Sequence, residues 1–218
     1  MKRGLKRITF ASLLVGLVLG FASTASALPW TELGDAGMLP GSAQEVIGVG
    51  PLDSISGSFV QNYVVDMYKI YIGVSNVFYA DVIQTAGPRP WSHQLFLFDS
   101  NGVGIFGNDN TTGGAYLPSF SSLGPGIYYL ATSQYNIDPG SIAGAIFPST
   151  GGELVWVVNN SPVIGWGGTY SPRQASYTVR LSGVEFIAPA SPIPEPSTIF
   201  LLGSGLVGLV GLRRKFRK

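Results

Sequence analysis

Clusters of Gly, Pro, Asn, Asp and Ser interrupt the middle of this chain about every ten to fifteen residues. The 218 residues include 30 Gly and 15 Pro, and the interrupted part shows no sustained helical period with capping residues. Both glycine and proline destabilise a helix interior, so long helices are disfavoured. Short segments rich in aromatic and β-branched residues lie between the clusters. This spacing predicts an all-β fold, a single β-sandwich or jelly-roll domain.

Residues 63–72 show the strand pattern most clearly, because their aromatic and β-branched side chains alternate between two faces. Residues 28–51 are rich in small residues and predict an irregular lead-in, with one edge strand at about residues 44–49. Further strands are predicted at residues 76–83, 93–99, 102–106, 115–120, 126–132, 154–159 and 176–184.

The N-terminus has the three parts of a secretory signal. Four basic residues precede an apolar run at residues 8–21, and small residues follow, with Ala25 and Ala27 in the small-x-small pattern that signal peptidase cleaves. The alternative is an N-terminal membrane helix, but the run of about 14 residues is shorter than the roughly 20 needed to span hydrocarbon. We therefore expect residues 1–27 to be a signal peptide that is removed after Ala27.

The C-terminus combines a stiff, an apolar and a basic segment. Three prolines at residues 192–196 hold the backbone extended, as suits a segment that enters a protease cleft. Residues 199–212 are apolar and predict a membrane helix, whose glycines provide a small-residue face. The basic residues at 213–218 are expected to stay in the cytoplasm, which leaves the prolines outside the inner membrane. The alternative is a plain tail anchor that is not processed.

The order of Pro194, Glu195, Pro196, the apolar run and the basic cluster closely resembles the PEP-CTERM sorting signal. The resemblance implies recognition by an exosortase, a membrane protease or transpeptidase of Gram-negative bacteria that make extracellular polysaccharide. It also implies a transient stay in the inner membrane, followed by a place on the cell surface or outside the cell. The predicted organisation is a signal peptide at 1–27, a β-sandwich domain at 28–190 and a sorting segment at 191–218.

The charge of the middle region limits its partners, and its lack of cysteine limits the interactions that can stabilise it. Residues 28–194 contain four basic and eleven acidic residues, hence a net charge of −7, whereas the full chain carries +1. A domain this acidic repels a phosphate backbone, which argues against nucleic acid as a partner. The chain has no cysteine, so buried aromatic and branched residues rather than disulfides must stabilise it.

Residues 66–136 show a second resemblance. Their strand at Gln94–Asp99 ends in a Ser-Asn-Gly turn, a polar loop follows at Gly107–Asn110, and the turn Leu123–Gly126 precedes an aromatic strand. These features resemble the bacterial pre-peptidase C-terminal domain, a β-sandwich module of secreted proteins that includes collagen-binding domains. Residues 139–188 depart from that pattern.

Two loops carry oxygen-bearing side chains that a hairpin at residues 102–106 is expected to bring to one end of the sheet. Six to eight oxygen ligands suit Ca²⁺, so a calcium site is a candidate here and Ca²⁺ the one cofactor to consider. The alternative is that the same residues are turn formers that bond their own backbone. The candidate ligands are Asp99, Asn101, Asn108, Asp109 and Asn110.

No residue pattern indicates catalysis. His93 is the only histidine, and no Gly-x-Ser-x-Gly motif accompanies it in the middle region.

Trp166, flanked by glycines, is a candidate for an exposed ring that stacks on sugars, although such rings more often fill a core. We expect a non-enzymatic protein of the cell surface or the biofilm matrix. The alternatives are a calcium-dependent carbohydrate-binding or adhesion module and an unprocessed tail-anchored membrane protein.

Overall fold

A computed structural model of the protein describes residues 26–60, 64–73, 77–87, 92–109, 114–119, 123–148, 154–169 and 174–189. These residues are nearly all β, as the sequence predicts. Their fourteen strands are β1 (Leu28–Thr31), β2 (Gln44–Glu45), β3 (Pro51–Phe59), β4 (Val65–Ile72), β5 (Tyr79–Ala86), β6 (His93–Phe98), β7 (Gly104–Asn108), β8 (Tyr116–Leu117), β9 (Gly126–Gln134), β10 (Ile137–Ser141), β11 (Gly144–Ala145), β12 (Val155–Trp156), β13 (Val163–Gly168) and β14 (Ala175–Glu185).

The first layer of the fold is built around the long strand β14. Strand β3 pairs with it in antiparallel fashion on one side, and β1 lies parallel to β3 at the edge. Strand β5 pairs with the other side of β14, and β8 pairs with β5. Gly183, with a φ of 70°, lies where β14 leaves β5 and pairs with β4 instead. That change of partner at a bulge connects the first layer to the second.

The second layer has the strand order β4-β9-β6-β7-β12, with β2 added beside β4. The main core contains residues of both layers: Ile55 and Val179 of the first layer belong to the same buried cluster as Ile70, Leu97 and Leu130 of the second. Apolar side chains from two sheets in one cluster are consistent with the predicted β-sandwich. The core of the protein is therefore the space between these two layers.

A small third sheet, with the order β11-β10-β13, packs on the other face of the second layer. Met67, Phe96 and Phe98 of β4 and β6 form a second buried cluster with residues on and near the third sheet, including Phe147 and Val163. Strand β6 is thus buried on both faces, and β4 over most of its length. The apolar run Leu95–Phe98 of β6 fits this position.

Part of the segment predicted as an irregular lead-in forms a strand, so the sequence prediction is wrong there. Residues 28–31 form β1, because they find a parallel partner in β3, which was not predicted as a strand either. The predicted edge strand at residues 44–49 is present in shortened form as β2.

Only the last two residues of the predicted signal peptide are among the described residues. The predicted sorting motif and C-terminal helix lie entirely outside them. Within the part of the chain that the structure describes, no helix is both long and apolar enough to cross a membrane.

Candidate functional site

The first two predicted calcium ligands form a turn between β6 and β7. One carboxylate oxygen of Asp99 accepts hydrogen bonds from the backbone N–H groups of Asn101 (2.8 Å) and Val103 (2.9 Å). Gly102 follows in the left-handed region with a φ of 79°. Asp99 therefore stabilises the turn through its own backbone neighbours, which is the alternative role considered for it.

Asn108 and Asp109 lie at the opposite end of β7, separated from that turn by about 17 Å of strand. Asn108 is buried and donates to the carbonyl oxygen of Tyr116 at 2.8 Å. Asp109 accepts a hydrogen bond from Gln94, whose amide also donates to Asp138. The fifth residue, Asn110, lies outside the described residues.

The structure does not bring the two loops of the calcium prediction together. A hairpin joins their strands, but one loop is its turn and the other follows its open end. Among the described residues, no three His, Asp or Glu side chains form a group that could hold a metal ion. Calcium binding stays a prediction for which these residues provide no shared site.

Trp166 lies in strand β13 rather than in a loop, and its ring is partly buried. The indole packs edge-on against Phe96 and Phe98, at centroid distances of 5.7 and 6.3 Å. Its Nε1–H donates to the carbonyl oxygen of Met38 at 2.7 Å. These contacts join the third sheet to the second layer, so the structure gives Trp166 a packing role.

Hydroxyl side chains are frequent on the outer face of the first layer, which also carries the exposed Ile83. Three serines of β3 alternate with inward-facing residues, and each lies opposite an outward-facing residue of β14. In the central pair, the hydroxyl oxygens of Ser56 and Thr178 are 3.0 Å apart. We call this surface the hydroxyl face. Its hydroxyl-bearing residues are Thr31, Ser54, Ser56, Ser58, Thr85, Ser176 and Thr178.

A cleft of about 690 Å³ lies on the hydroxyl face, and the carboxylates of Glu32 and Asp35 are at its edge. Both oxygens of Glu32 accept backbone hydrogen bonds, from Ala36 at 2.9 Å and from Ser58 at 2.8 Å. Burial raises the pKa of Glu32, and these two hydrogen bonds act against the rise. Glu32 thus links the segment after β1 to strand β3 through hydrogen bonds and forms part of the lining of the cleft.

A buried polar cluster lies beneath the cleft, under Gly57 of β3. The Tyr177 hydroxyl donates to a carboxyl oxygen of Asp66 at 2.5 Å, and the hydroxyl oxygens of Tyr68 and Tyr177 are 2.6 Å apart. A Cβ atom at Gly57 would come within 2.5–2.8 Å of the Tyr68 and Tyr177 hydroxyls and of Glu32. Glycine is therefore required here, because any side chain would displace these oxygens.

Asp66 is completely buried, and burial raises its pKa to about 8, with a further contribution from the nearby charge of Glu32. Among the described residues, its second oxygen, Oδ1, has no hydrogen-bond partner. Thr132, which lies opposite Asp66 in the β4–β9 pairing, has a buried hydroxyl that likewise has no partner in the described part of the chain. Asp66 is therefore a neutral carboxyl group below about pH 8.

His93 lies in the same interior region and not on the surface. Its ring is 1% exposed, stacks on Phe59 at a centroid distance of 5.6 Å and meets Tyr177 edge-on at 5.9 Å. Burial lowers its pKa to about 4. The imidazole is therefore neutral at physiological pH and packs as part of the core.

Comparison with known proteins adds information on the C-terminus. The family model described as the PEP-CTERM protein-sorting motif matches residues 192–215. The match includes the predicted sorting residues Pro194, Glu195 and Pro196. It indicates a bacterial protein that is exported, transits a membrane and is processed by an exosortase. No curated protein matches the chain, and the resemblance of residues 66–136 to the pre-peptidase C-terminal domain stays a prediction.

The hydroxyl face was missed at the sequence level, although a signal for it exists. Ser54, Ser56 and Ser58 recur at every second position, which is the period of a strand with one polar face. The same period appears at Ser176 and Thr178. Pro51, Asp53 and Gly57 are residue types with low strand preference, so the first of these two segments was not predicted as a strand.

Proposed function

We infer that this chain is an exported, non-enzymatic protein of the cell surface or extracellular matrix of a Gram-negative bacterium. Signal peptidase removes its N-terminal signal, the apolar C-terminal segment holds it in the inner membrane for a time, and an exosortase then processes the tail. The observation that carries this proposal is the match of residues 192–215 to the PEP-CTERM sorting motif. The position of the folded strands between the two ends supports it.

At the N-terminus, the proposed cleavage after Ala27 leaves the sheet intact. Strand β1 begins at Leu28, which pairs with Leu52 of β3. The first residue of the proposed mature chain is then the first residue of the first strand. Ala27 itself is exposed, as a cleavage site must be.

At the C-terminus, the strands end before the matched segment begins. Strand β14 ends at Glu185, and the backbone N–H of Ile187 donates to Val46 at 2.9 Å. Ala188 and Pro189 are exposed and belong to no strand. Cleavage within the motif would therefore remove none of the described strands.

The burial of two titratable groups, His93 and Asp66, supports a non-enzymatic role. His93 is enclosed by aromatic rings, and Asp66 is enclosed beneath Gly57, so neither group meets solvent. General acid or base catalysis requires such a group to reach its substrate. We do not propose calcium dependence, because the candidate ligands lie at two ends of β7.

A motif variant tests the sorting proposal. We expect replacement of Pro194, Glu195 and Pro196 by alanine to leave the chain uncleaved in the inner-membrane fraction of its host, whereas the unchanged protein is recovered outside. The matched control is Pro189→Ala, which lies just upstream of the matched segment and should be processed normally. Equal processing of the motif variant and the control would contradict sorting through this motif, and the tail-anchor alternative predicts membrane retention of all three proteins.

A further inference from the structure

Two exposed tyrosines lie at one end of the hydroxyl face. Tyr79 of β5 and Tyr116 of β8 point outward, because their neighbours Ala80 and Leu117 point into the main core. The two ring planes differ by 25° and their centroids are 6.5 Å apart. Tyr79 is 37% exposed and Tyr116 is 40% exposed. Together they form a paired aromatic surface, which we call the tyrosine pair.

An ion pair lies between the tyrosine pair and the hydroxyls. Asp81 is the cross-strand neighbour of both Tyr116 and Arg180. The guanidinium Nε of Arg180 donates to a carboxylate oxygen of Asp81 at 3.0 Å. The two charges offset each other, so this part of the face offers hydrogen-bonding groups without net charge.

The other end of the face is negative. Glu32 and Asp35 line the cleft, and among the described residues that line it there is no Lys or Arg to balance them. An anionic polymer would be repelled there. A neutral polymer with hydroxyl groups would instead meet the serine and threonine hydroxyls, each of which can both donate and accept a hydrogen bond.

Sugars carry chemical groups that match this arrangement of aromatic and hydroxyl side chains. A sugar ring presents apolar C–H groups on its faces, which suit an aromatic surface, and hydroxyls at its edge. Strand β5 alone carries Tyr79 at one end and Thr85 near the other, a distance of about 20 Å along the strand. That length accommodates several sugar units in a row, from the tyrosine pair to the cleft.

We propose that the outer face of β3, β14, β5 and β8 binds a neutral polysaccharide chain. The tyrosine pair stacks on sugar rings, and the hydroxyls of Ser56, Thr178 and their neighbours in the cleft hydrogen-bond to further units. Binding requires no calcium, because the surface contains none of the predicted calcium ligands. The inference rests on the proposed function in one respect, since export places the protein where it meets such a polymer.

Binding can be measured on the exported protein purified from its host. The probes are three soluble neutral glucans, namely dextran, laminarin and hydroxyethyl cellulose, with alginate as an anionic comparison, each titrated with EDTA present. We expect binding to at least one neutral glucan and at least tenfold weaker binding to alginate. Tyr79→Ala and Tyr116→Ala should each weaken the association by about tenfold, as expected for the loss of one stacked ring. The shape-conserving variant Thr178→Val should weaken it by about threefold.

The matched control is Tyr135→Ala. Tyr135 is 44% exposed but lies in the turn between β9 and β10 and on no strand of the first layer, so its loss should leave binding unchanged. A thermal melt of each variant shows whether it remains folded. The proposal is overturned if no neutral glucan binds, if alginate binds equally well, if EDTA abolishes binding, or if the Tyr135 variant loses as much affinity as the other two tyrosine variants.

The result of this titration is independent of the result of the sorting test. Sorting is judged from where the chain is cleaved and found, whereas the titration is judged from affinity alone. A protein that is processed as expected but binds no neutral glucan would remove the inference about the hydroxyl face and leave the proposed function in place.

Discussion

The two layers of the sandwich differ in what their outer faces carry. The second layer presents Met67, Phe96 and Phe98, and the third sheet covers them. The first layer presents Ser56, Thr178 and other hydroxyl side chains, and a cleft lies over them. Both layers contribute to the same main core, so the difference is confined to the sides that face away from it.

This difference is already present in the side-chain pattern of the strands. Strand β6 is buried at all six positions, whereas β14 alternates between buried and less buried positions over most of its length. A strand buried on both faces needs no polar side, while a strand with one covered face does. The outer face of the second layer therefore contributes to stability, whereas the outer face of the first layer is the one for which we propose interaction with other molecules.

The largest effect on the free energy of unfolding should come from a substitution on the outer face of the second layer, which the third sheet covers. Phe96 is 1% exposed and packs on Phe147 at 5.2 Å and on Trp166, so Phe96→Ala leaves a cavity between two sheets. We expect a loss of about 3–5 kcal/mol in the free energy of unfolding, measured by urea denaturation. Ser56→Ala on the hydroxyl face should change this free energy by less than about 0.5 kcal/mol. Equal losses in the two variants would remove the distinction between the faces.

An intermediate effect is expected at Gly57, where the hydroxyl face meets the interior. An alanine Cβ there overlaps the Tyr68 and Tyr177 hydroxyls, so Gly57→Ala should lower the free energy of unfolding by about 1–3 kcal/mol. Gly165 of β13 has no atom within 4 Å of its corresponding Cβ position, so Gly165→Ala should be close to neutral. If thermal melts of the two variants shift alike, the polar cluster beneath Gly57 is not tightly packed.

The smallest effect should be a dependence of stability on pH. The folded-state pKa of Asp66 is raised from 3.8 to about 8, so its contribution to stability falls as pH rises towards 8. The pKa of His93 is lowered from 6.5 to about 4, so its contribution rises between pH 4 and 6.5 and is constant above that range. Between pH 6.5 and 8 the contribution of His93 is constant, so the falling contribution of Asp66 should lower the free energy of unfolding by about 1–2 kcal/mol.

Denaturation at pH 6.5 and pH 8 measures this fall, and Asp66→Asn provides the control. Asparagine is close to the carboxyl group in shape but does not titrate, so the variant should have equal stability at both values. A variant that loses as much stability as the unchanged protein would assign the effect to another group. Glu32, whose pKa is also raised, is the first alternative.

Parts of this fold follow from local pattern. Strands β4 and β9 are predicted from their aromatic and β-branched residues, and β6 from its alternating Leu and Phe residues, since such side chains fit a pleated, buried surface. The sorting motif was also recognisable, because its tripeptide, apolar run and basic cluster are contiguous in sequence and need no tertiary contact to be identified.

Other parts depend on partners that are distant in sequence. Strand β1 pairs with β3 across some twenty residues, and Pro139 and Gly140 argue against β10 until β13 supplies its partner. The calcium prediction required two loops to meet, but these loops flank strand β7 and therefore lie at its opposite ends. The cluster of Asp66 with Tyr177 joins residues that are 111 positions apart, so no local signal could reveal it.

We propose that this chain is exported and cut at both ends, and the intact mass of the protein recovered from outside its native host is the decisive measurement. We expect a product that begins at Leu28 and ends near Pro194, with every described strand retained. A product that still ends at Lys218 in the membrane fraction would contradict it and would make the protein a tail-anchored protein of the inner membrane.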